Sequence, residues 1–255
     1  MDQLAATGAD IASAYLLLGI LMTAIVLALL IVFFVSPKAF PRKEYMGAVW
    51  PLFKRHFWLL LAIVIIQQVL ANLPSAITGV AQGLFSLGEN EPISAILSFV
   101  AMIVIVTILQ AGLVGIMLTV VSGGTPRLGD LFSKTRVFWR YLGCSILYGL
   151  ITVGGFFLLV FPGVIWFLKF SLWSYFIVDK NAGVIEALKM SSQATKGYKP
   201  SLFVLYIYLM SLNLLGLSAL FVGFFVTAPM TLLILAWVYR RLSGGVGTPS
   251  AVPKP

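Results

Sequence analysis

The sequence predicts an all-α polytopic membrane protein, a transmembrane helical bundle of about seven spans with interfacial helices on its cytoplasmic side. Three observations carry that expectation. Hydrophobic residues make up 60% of the 255-residue chain, charged ones only 10%, and the mean hydropathy is +1.04, whereas roughly a quarter of a globular domain is charged. Several apolar runs approach or exceed the ~20 residues that cross ~30 Å of hydrocarbon. The charges fall between those runs, with the bases concentrated on one side of the expected membrane.

Taken in order, the first run covers residues 11–35 and ends at Ser36-Pro37. The leading MDQLAATGAD has two Asp and no base, so the expectation is a retained span with its N-terminus outside, not a cleaved signal peptide. A loop with Lys38, Arg42, Lys43, Lys54 and Arg55 against Glu44 alone follows, and its Trp50 and Phe53 read as interfacial aromatics. The second span is 57–73, with Asn72 and Pro74 marking its outer end, and a Gly-rich outer stretch with Glu89 and Glu91 leads to the third, 93–121. Next, Thr125 as N-cap and Pro126 in the first turn open an expected amphipathic helix through Tyr141, whose Arg127, Lys134, Arg136 and Arg140 face the cytoplasmic lipid surface.

The fourth span, 142–160, carries Gly143, Gly149, Gly154 and Gly155, small residues that let a neighbour approach. Phe161-Pro162-Gly163 reads as the outer turn before a short fifth span, 164–178, closed by Asp179 and Lys180. A polar helix follows, with Asn181 as N-cap, Glu186 early, and Gly197 and Pro200 past its end. The stretch 201–242 is too long for one span and right for two, 201–217 and 219–242, split near Gly216 to Ala219 or else near Gly223. Pro229 is expected to kink the last helix, and the Gly/Pro-rich tail 244–255 to be disordered. This threading puts Asp2, Asp10, Glu89 and Glu91 outside and every base except Lys169 inside. By the positive-inside rule that is a multi-pass membrane protein with its N-terminus outside and its C-terminus cytoplasmic.

Function is less legible. The net charge of +9 suits anionic lipid of the cytoplasmic leaflet better than nucleic acid, because no basic groove with stacking aromatics stands apart from the membrane. The lone Cys144 excludes an internal disulfide, the lone His56 sits in an interfacial basic run, and no catalytic, metal or phosphate-cradling motif occurs. No enzyme activity, cofactor or metal site is expected. Lys169 is the one ionisable residue inside a span, which makes it a functional candidate by default, while snorkelling toward the outer interface is the alternative. Gln67, Gln68, Gln110 and Asn213 are its candidate partners around a polar path, or else amides that join helices. Gly112 with Gly115, and Gly79 with Gly83, read as packing signals.

The segment FPGVIWFLKFSLWSYFIVDKNAGVIEALKMSSQATKG resembles a signature of bacterial integral membrane proteins of largely unknown function. These are related to the membrane domain of some glycerophosphoryl diester phosphodiesterases. The matching residues are Pro162-Gly163, Lys169, Asp179, Glu186-Ala187-Leu188 with Ser191, and Thr195-Lys196-Gly197. Pro229, Tyr239 and Leu242 match its last span, so the resemblance covers about 125–242 well. It implies a stand-alone membrane domain, since that family's phosphodiesterase activity resides in a separate soluble barrel. The expected role is a scaffold or accessory protein binding anionic lipid, other membrane proteins or itself, and the alternative is a small-molecule or lipid transporter with Lys169 in its path.

Overall fold

The computed structural model describes residues 40–85, 92–158, 160–218 and 222–244. The expected first span (11–35), the outer stretch with Glu89 and Glu91, and all but the first residue of the tail 244–255 lie outside the described residues. What is described is an all-α bundle. The helices are α1 (Arg42–Phe85), α2 (Pro92–Val121), α3 (Phe138–Leu158), α4 (Val160–Phe170), α5 (Trp173–Lys180), α6 (Val184–Ala194), α7 (Lys199–Ser218) and α8 (Val222–Ser243), with two 3-10 turns, Leu128–Phe132 and Thr135–Val137, before α3. Six stretches among the described residues are long and apolar enough to cross a membrane: Arg42–Ile77, Ile96–Val121, Leu128–Leu158, Phe161–Lys180, Lys199–Ser218 and Gly223–Ser243.

Consecutive helices pair as α1 with α2, α3 with α4 and α7 with α8, while α2 also touches α3, α5, α8 and the first 3-10 turn. The burial pattern shows why α2 is central at one end only. Leu109, Ala111, Leu113, Ile116, Met117 and Val120 are buried on every side of its second half, whereas Ile96, Leu97, Phe99 and Val100 near its start are exposed. A helix apolar all round needs neighbours or lipid on all faces, and here the packed protein supplies them around residues 109–120.

Several local expectations are corrected. Helix α1 does not stop at Asn72 and Pro74 but runs through both Pro51 and Pro74 for 44 residues, about 66 Å at 1.5 Å per residue. A proline removes only one backbone donor, and around Pro74 side chains add local bonds, Asn72 Nδ2 donating to the Gln68 carbonyl (2.7 Å) and Ser75 Oγ to that of Asn72 (2.8 Å). The expected helix from Pro126 to Tyr141 is instead two 3-10 turns, with residues 138–141 already opening α3. Asp130 Oδ2 accepts the Arg127 N–H (2.8 Å) and Ser133 Oγ donates to the Asp130 carbonyl (2.7 Å), local bonds that compete with an α-helix.

Phe161-Pro162-Gly163 is not the turn itself. It lies in the first turn of α4, where a proline's missing N–H costs nothing. Gly163 serves close approach: a Cβ on Gly155 would lie 2.8 Å from its Cα, and one on Gly163 would lie 2.7 Å from the Phe156 ring. Of the four glycines expected to admit a neighbour to this span, Gly149 and Gly154 face open space, and Gly143 makes ordinary contact with Val184. The expected 164–178 span breaks at Ser171-Leu172 into α4 and α5. Tyr141 meets Trp173 at the start of α5, with ring centroids 4.7 Å apart, while the adjacent Arg140 donates to the Asn181 carbonyl past its end at 2.6 Å. α5 therefore packs against the first half of α3, where Trp173 also comes within 6.1 Å of the Tyr148 ring. With 11 residues and about 16 Å, α4 alone covers about half the ~30 Å of a hydrocarbon core, and together with α5 it makes up the apolar stretch Phe161–Lys180.

Asn181 is the left-handed cap ending α5 (φ 52°), a conformation Asn tolerates better than other side chains. The N-cap of α6 is Gly183, whose N–H donates to Glu186 Oε2 at 3.1 Å. Gly197 does hold a left-handed φ of 85° beyond α6.

The tightest contact lies at Gly112, where an added Cβ would fall 1.8 Å from the Leu131 carbonyl oxygen. Gly112→Ala is expected to cost about 1–3 kcal/mol or more through overpacking. Gly79→Ala, in open space, should be near neutral. Thermal unfolding of both variants in detergent checks the difference.

Candidate functional site

Side-chain contacts draw the basic residues to one end of the bundle. In the last turn of α8, Arg241 pairs with Glu44 at the start of α1. Its neighbour Arg240 pairs with Asp179 at the end of α5, Nη2 to Oδ1 at 3.2 Å and Nη1 to Oδ2 at 3.3 Å. Tyr239 adds its hydroxyl to the same carboxylate, donating to Oδ2 at 2.9 Å. That ring is fully buried, stacked on Tyr175 and edge-on to Phe176. Arg140 at the start of α3 binds both the carbonyl and side-chain oxygen of Asn181, and Phe40 before α1 meets Tyr198 before α7 at 5.9 Å. Asp179, read from the sequence as closing its span, finds these partners some sixty residues away.

Beside this clamp lies a recess of about 320 Å³, lined by Gly115, Leu118, Thr119, Ser122, Gly124, Lys134, Val178, Asp179 and Arg240. Lys134 reaches it by lying over α2 at Gly115, where a Cβ would come within 3.1 Å of its Cε. Gly112 and Gly115 thus form the seat for the segment from Leu131 to Lys134, which gives the Gly112/Gly115 packing signal its partner. Of the other three basic residues expected to face lipid, Arg127, Arg136 and Arg140 are exposed.

Lys169 lies in the last turn of α4, beside the helix break. Its carbonyl, freed by the helix break, accepts Ser191 Oγ at 3.1 Å and Thr195 Oγ1 at 3.0 Å. Ser191 Oγ also accepts the Leu172 N–H at 3.1 Å, so one hydroxyl serves both sides of the break. The Lys169 ammonium lies 5.0 Å from the Phe170 ring centroid, a cation–π distance.

The amides expected around Lys169 do not assemble. Asn213 Nδ2 donates to the Leu209 carbonyl and to Thr231 Oγ1 of α8, both at 2.8 Å, and so joins α7 to α8. Among the described residues, no hydrogen bond links Lys169, Gln67, Gln68, Gln110 and Asn213 to one another. Nor do three His, Cys, Asp or Glu side chains come together as metal ligands among the described residues. The matched motif residues sort into Pro162 and Gly163 at the α3–α4 contact, Asp179 in the clamp, Glu186 at the α6 cap and Gly197 at its left-handed exit. Ser191 and Thr195 appeared in the sequence only as matching residues, and nothing in the composition near Lys169 pointed to them as its partners.

Removing a donor from a buried, broken helix leaves polar backbone unpaired at about 1–3 kcal/mol. Ser191→Ala orphans the Leu172 N–H, whereas Thr195→Val leaves Ser191 on the shared carbonyl. The expected order of destabilisation in detergent melts is therefore Thr195→Val, then Ser191→Ala, then the double variant.

No family model matches the chain. It is similar to uncharacterised proteins of Mycobacterium tuberculosis and Mycobacterium bovis, at 26% identity over 163 residues, 62% of this chain and 49% of each relative. The chain thus spans about half the length of the curated relatives it matches. No solved structure matches it.

Proposed function

We propose that the protein is a non-enzymatic scaffold or accessory protein of a bacterial cytoplasmic membrane, whose basic end rests on anionic lipid of the cytoplasmic leaflet. The observation that carries this reading is the company the bases keep. Trp50, Trp58, Trp139 and Phe132 are exposed around them, and Lys54 lies 5.6 Å from the Trp50 ring. Exposed aromatics interleaved with Lys and Arg are what a headgroup interface selects. In this reading the C-terminal end of α8 is cytoplasmic, and the exposed apolar faces of α1 and α2 meet lipid, partner membrane proteins or a second copy of the chain.

Transport along Lys169 and the amides is the weaker reading, because no hydrogen bond joins them among the described residues and the Asn213 amide nitrogen is engaged by Leu209 and Thr231. The kinship with the membrane domain of glycerophosphoryl diester phosphodiesterases is likewise a proposal. Its support is that the two matched segments meet physically, Asp179 of one bonding Tyr239 of the other.

Each base near an anionic surface contributes about 1 kcal/mol. Neutralising Arg127, Lys134, Arg136 and Arg140 together to Gln is expected to lower the ratio of anionic to zwitterionic lipid retained through purification by about tenfold or more. Lipid mass spectrometry after gentle extraction reads that ratio, and an unchanged ratio would remove the proposal.

A further inference from the structure

We propose that the recess between α2, the second 3-10 turn and the ends of α5 and α8 binds the singly charged phosphodiester of an anionic phospholipid headgroup. This rests on the basic-end reading above and assigns it a particular site. The recess holds two cations, Lys134 and Arg240, and one carboxylate, Asp179. The carboxylate is already occupied, taking both terminal nitrogens of Arg240 and the Tyr239 hydroxyl. One unit of positive charge is left over, on Lys134, which has no hydrogen-bond or ion-pair partner among the described residues.

Unused donors surround that charge. Arg240 Nε is buried with no partner in the described structure, and the Ser122 hydroxyl makes no bond among the described residues. Thr119 is committed, since its hydroxyl donates to the Gly115 carbonyl at 3.0 Å. A buried donor without a partner costs about 1–3 kcal/mol, and an oxyanion seated here would satisfy ammonium, guanidinium and hydroxyl together.

The helix ends set the valence. Both α2 and α5 finish at this recess, and each C-terminus carries roughly half a negative charge. The N–H groups of Ser122, Gly123 and Gly124 cap three of the last α2 carbonyls, at 3.0, 3.0 and 2.9 Å, which softens that field without reversing it. With the α2 carbonyls capped, the surplus of one positive charge on Lys134 matches a single negative charge and is exceeded by a dianion. A phosphodiester such as phosphatidylglycerol's therefore fits better than a phosphate monoester or inorganic phosphate. A zwitterionic headgroup brings an ammonium for which the engaged Asp179 offers no free oxygen pair.

The test is native mass spectrometry of the full chain in non-ionic detergent, titrated with phosphatidylglycerol, phosphatidylcholine and inorganic phosphate. Lys134→Met keeps the aliphatic stem over Gly115, and Lys189→Gln removes an exposed charge outside the recess. One phosphatidylglycerol is expected to bind in preference to phosphatidylcholine, with affinity falling about tenfold in Lys134→Met and less than about twofold in Lys189→Gln. Matching melting temperatures of the two variants would show that folding is not the cause. If the two variants lose equally, the recess is wrong while the basic-end reading stands; if the native chain shows no preference for phosphatidylglycerol, both fall. Displacement of the lipid by inorganic phosphate at pH 8 would overturn the assignment of a singly charged diester.

Discussion

The architecture at the basic end depends on how closely a stretch of backbone can lie against α2. At Gly112 the Leu131 carbonyl occupies the space a side chain would need, so a segment without regular helix rides directly on the central helix. That contact sets the height and direction of everything after it: where Lys134 is delivered, where α3 begins, and where Arg140 stands to receive the end of α5. A larger residue there would lift the whole connection away from α2. Stability and site geometry share one cause, the absence of a Cβ.

A second constraint is electrostatic. Helices α2, α5 and α8 end at the basic face, and C-terminal dipoles brought together repel unless cations stand among them. Arg140 on the Asn181 carbonyl, Arg240 and Arg241 in the final turn of α8, and Lys134 beside α2 supply those cations. The basic excess therefore has two duties, compensating helix ends within the protein and meeting anionic surface outside it. Arg240 belongs chiefly to the first, being held by Asp179. Exposed Arg127 and Arg136 are left for the second, and Lys134 stands between the two.

The apolar runs made the helices readable, because length and hydropathy decide what crosses hydrocarbon. Among the described residues, those of 57–73, 93–121, 142–158, 201–217 and 222–242 lie in apolar helices. Less legible was anything decided by a distant partner. The break at Ser171-Leu172 follows an apolar run with no breaker residue, and it is tolerated because Ser191 and Thr195, some twenty residues later, bond the groups it frees. Asp179 looked like a helix stop with a lysine beside it, yet its partners come from the last helix. Asn181 illustrates ambiguity within a single residue type, since Asn suits both a helix start and a left-handed ending, and Gly183 with Glu186 took the start. The region from Pro126 to Tyr141 had helical spacing, but Asp130 and Ser133 turned its backbone bonds inward to local loops.

The clamp at the end of α8 also bears on how such a chain matures. Arg240 closes a contact with Asp179, 61 positions earlier, and Arg241 one with Glu44, 197 positions earlier. Both wait for the final turn of α8 to be synthesised. Until the ribosome delivers that turn, Asp179 and Glu44 lack these counter-ions, and a nascent chain stalled short of Arg240 is chemically distinguishable from one extended past it. Closure of the clamp is thereby tied to the translation of α8.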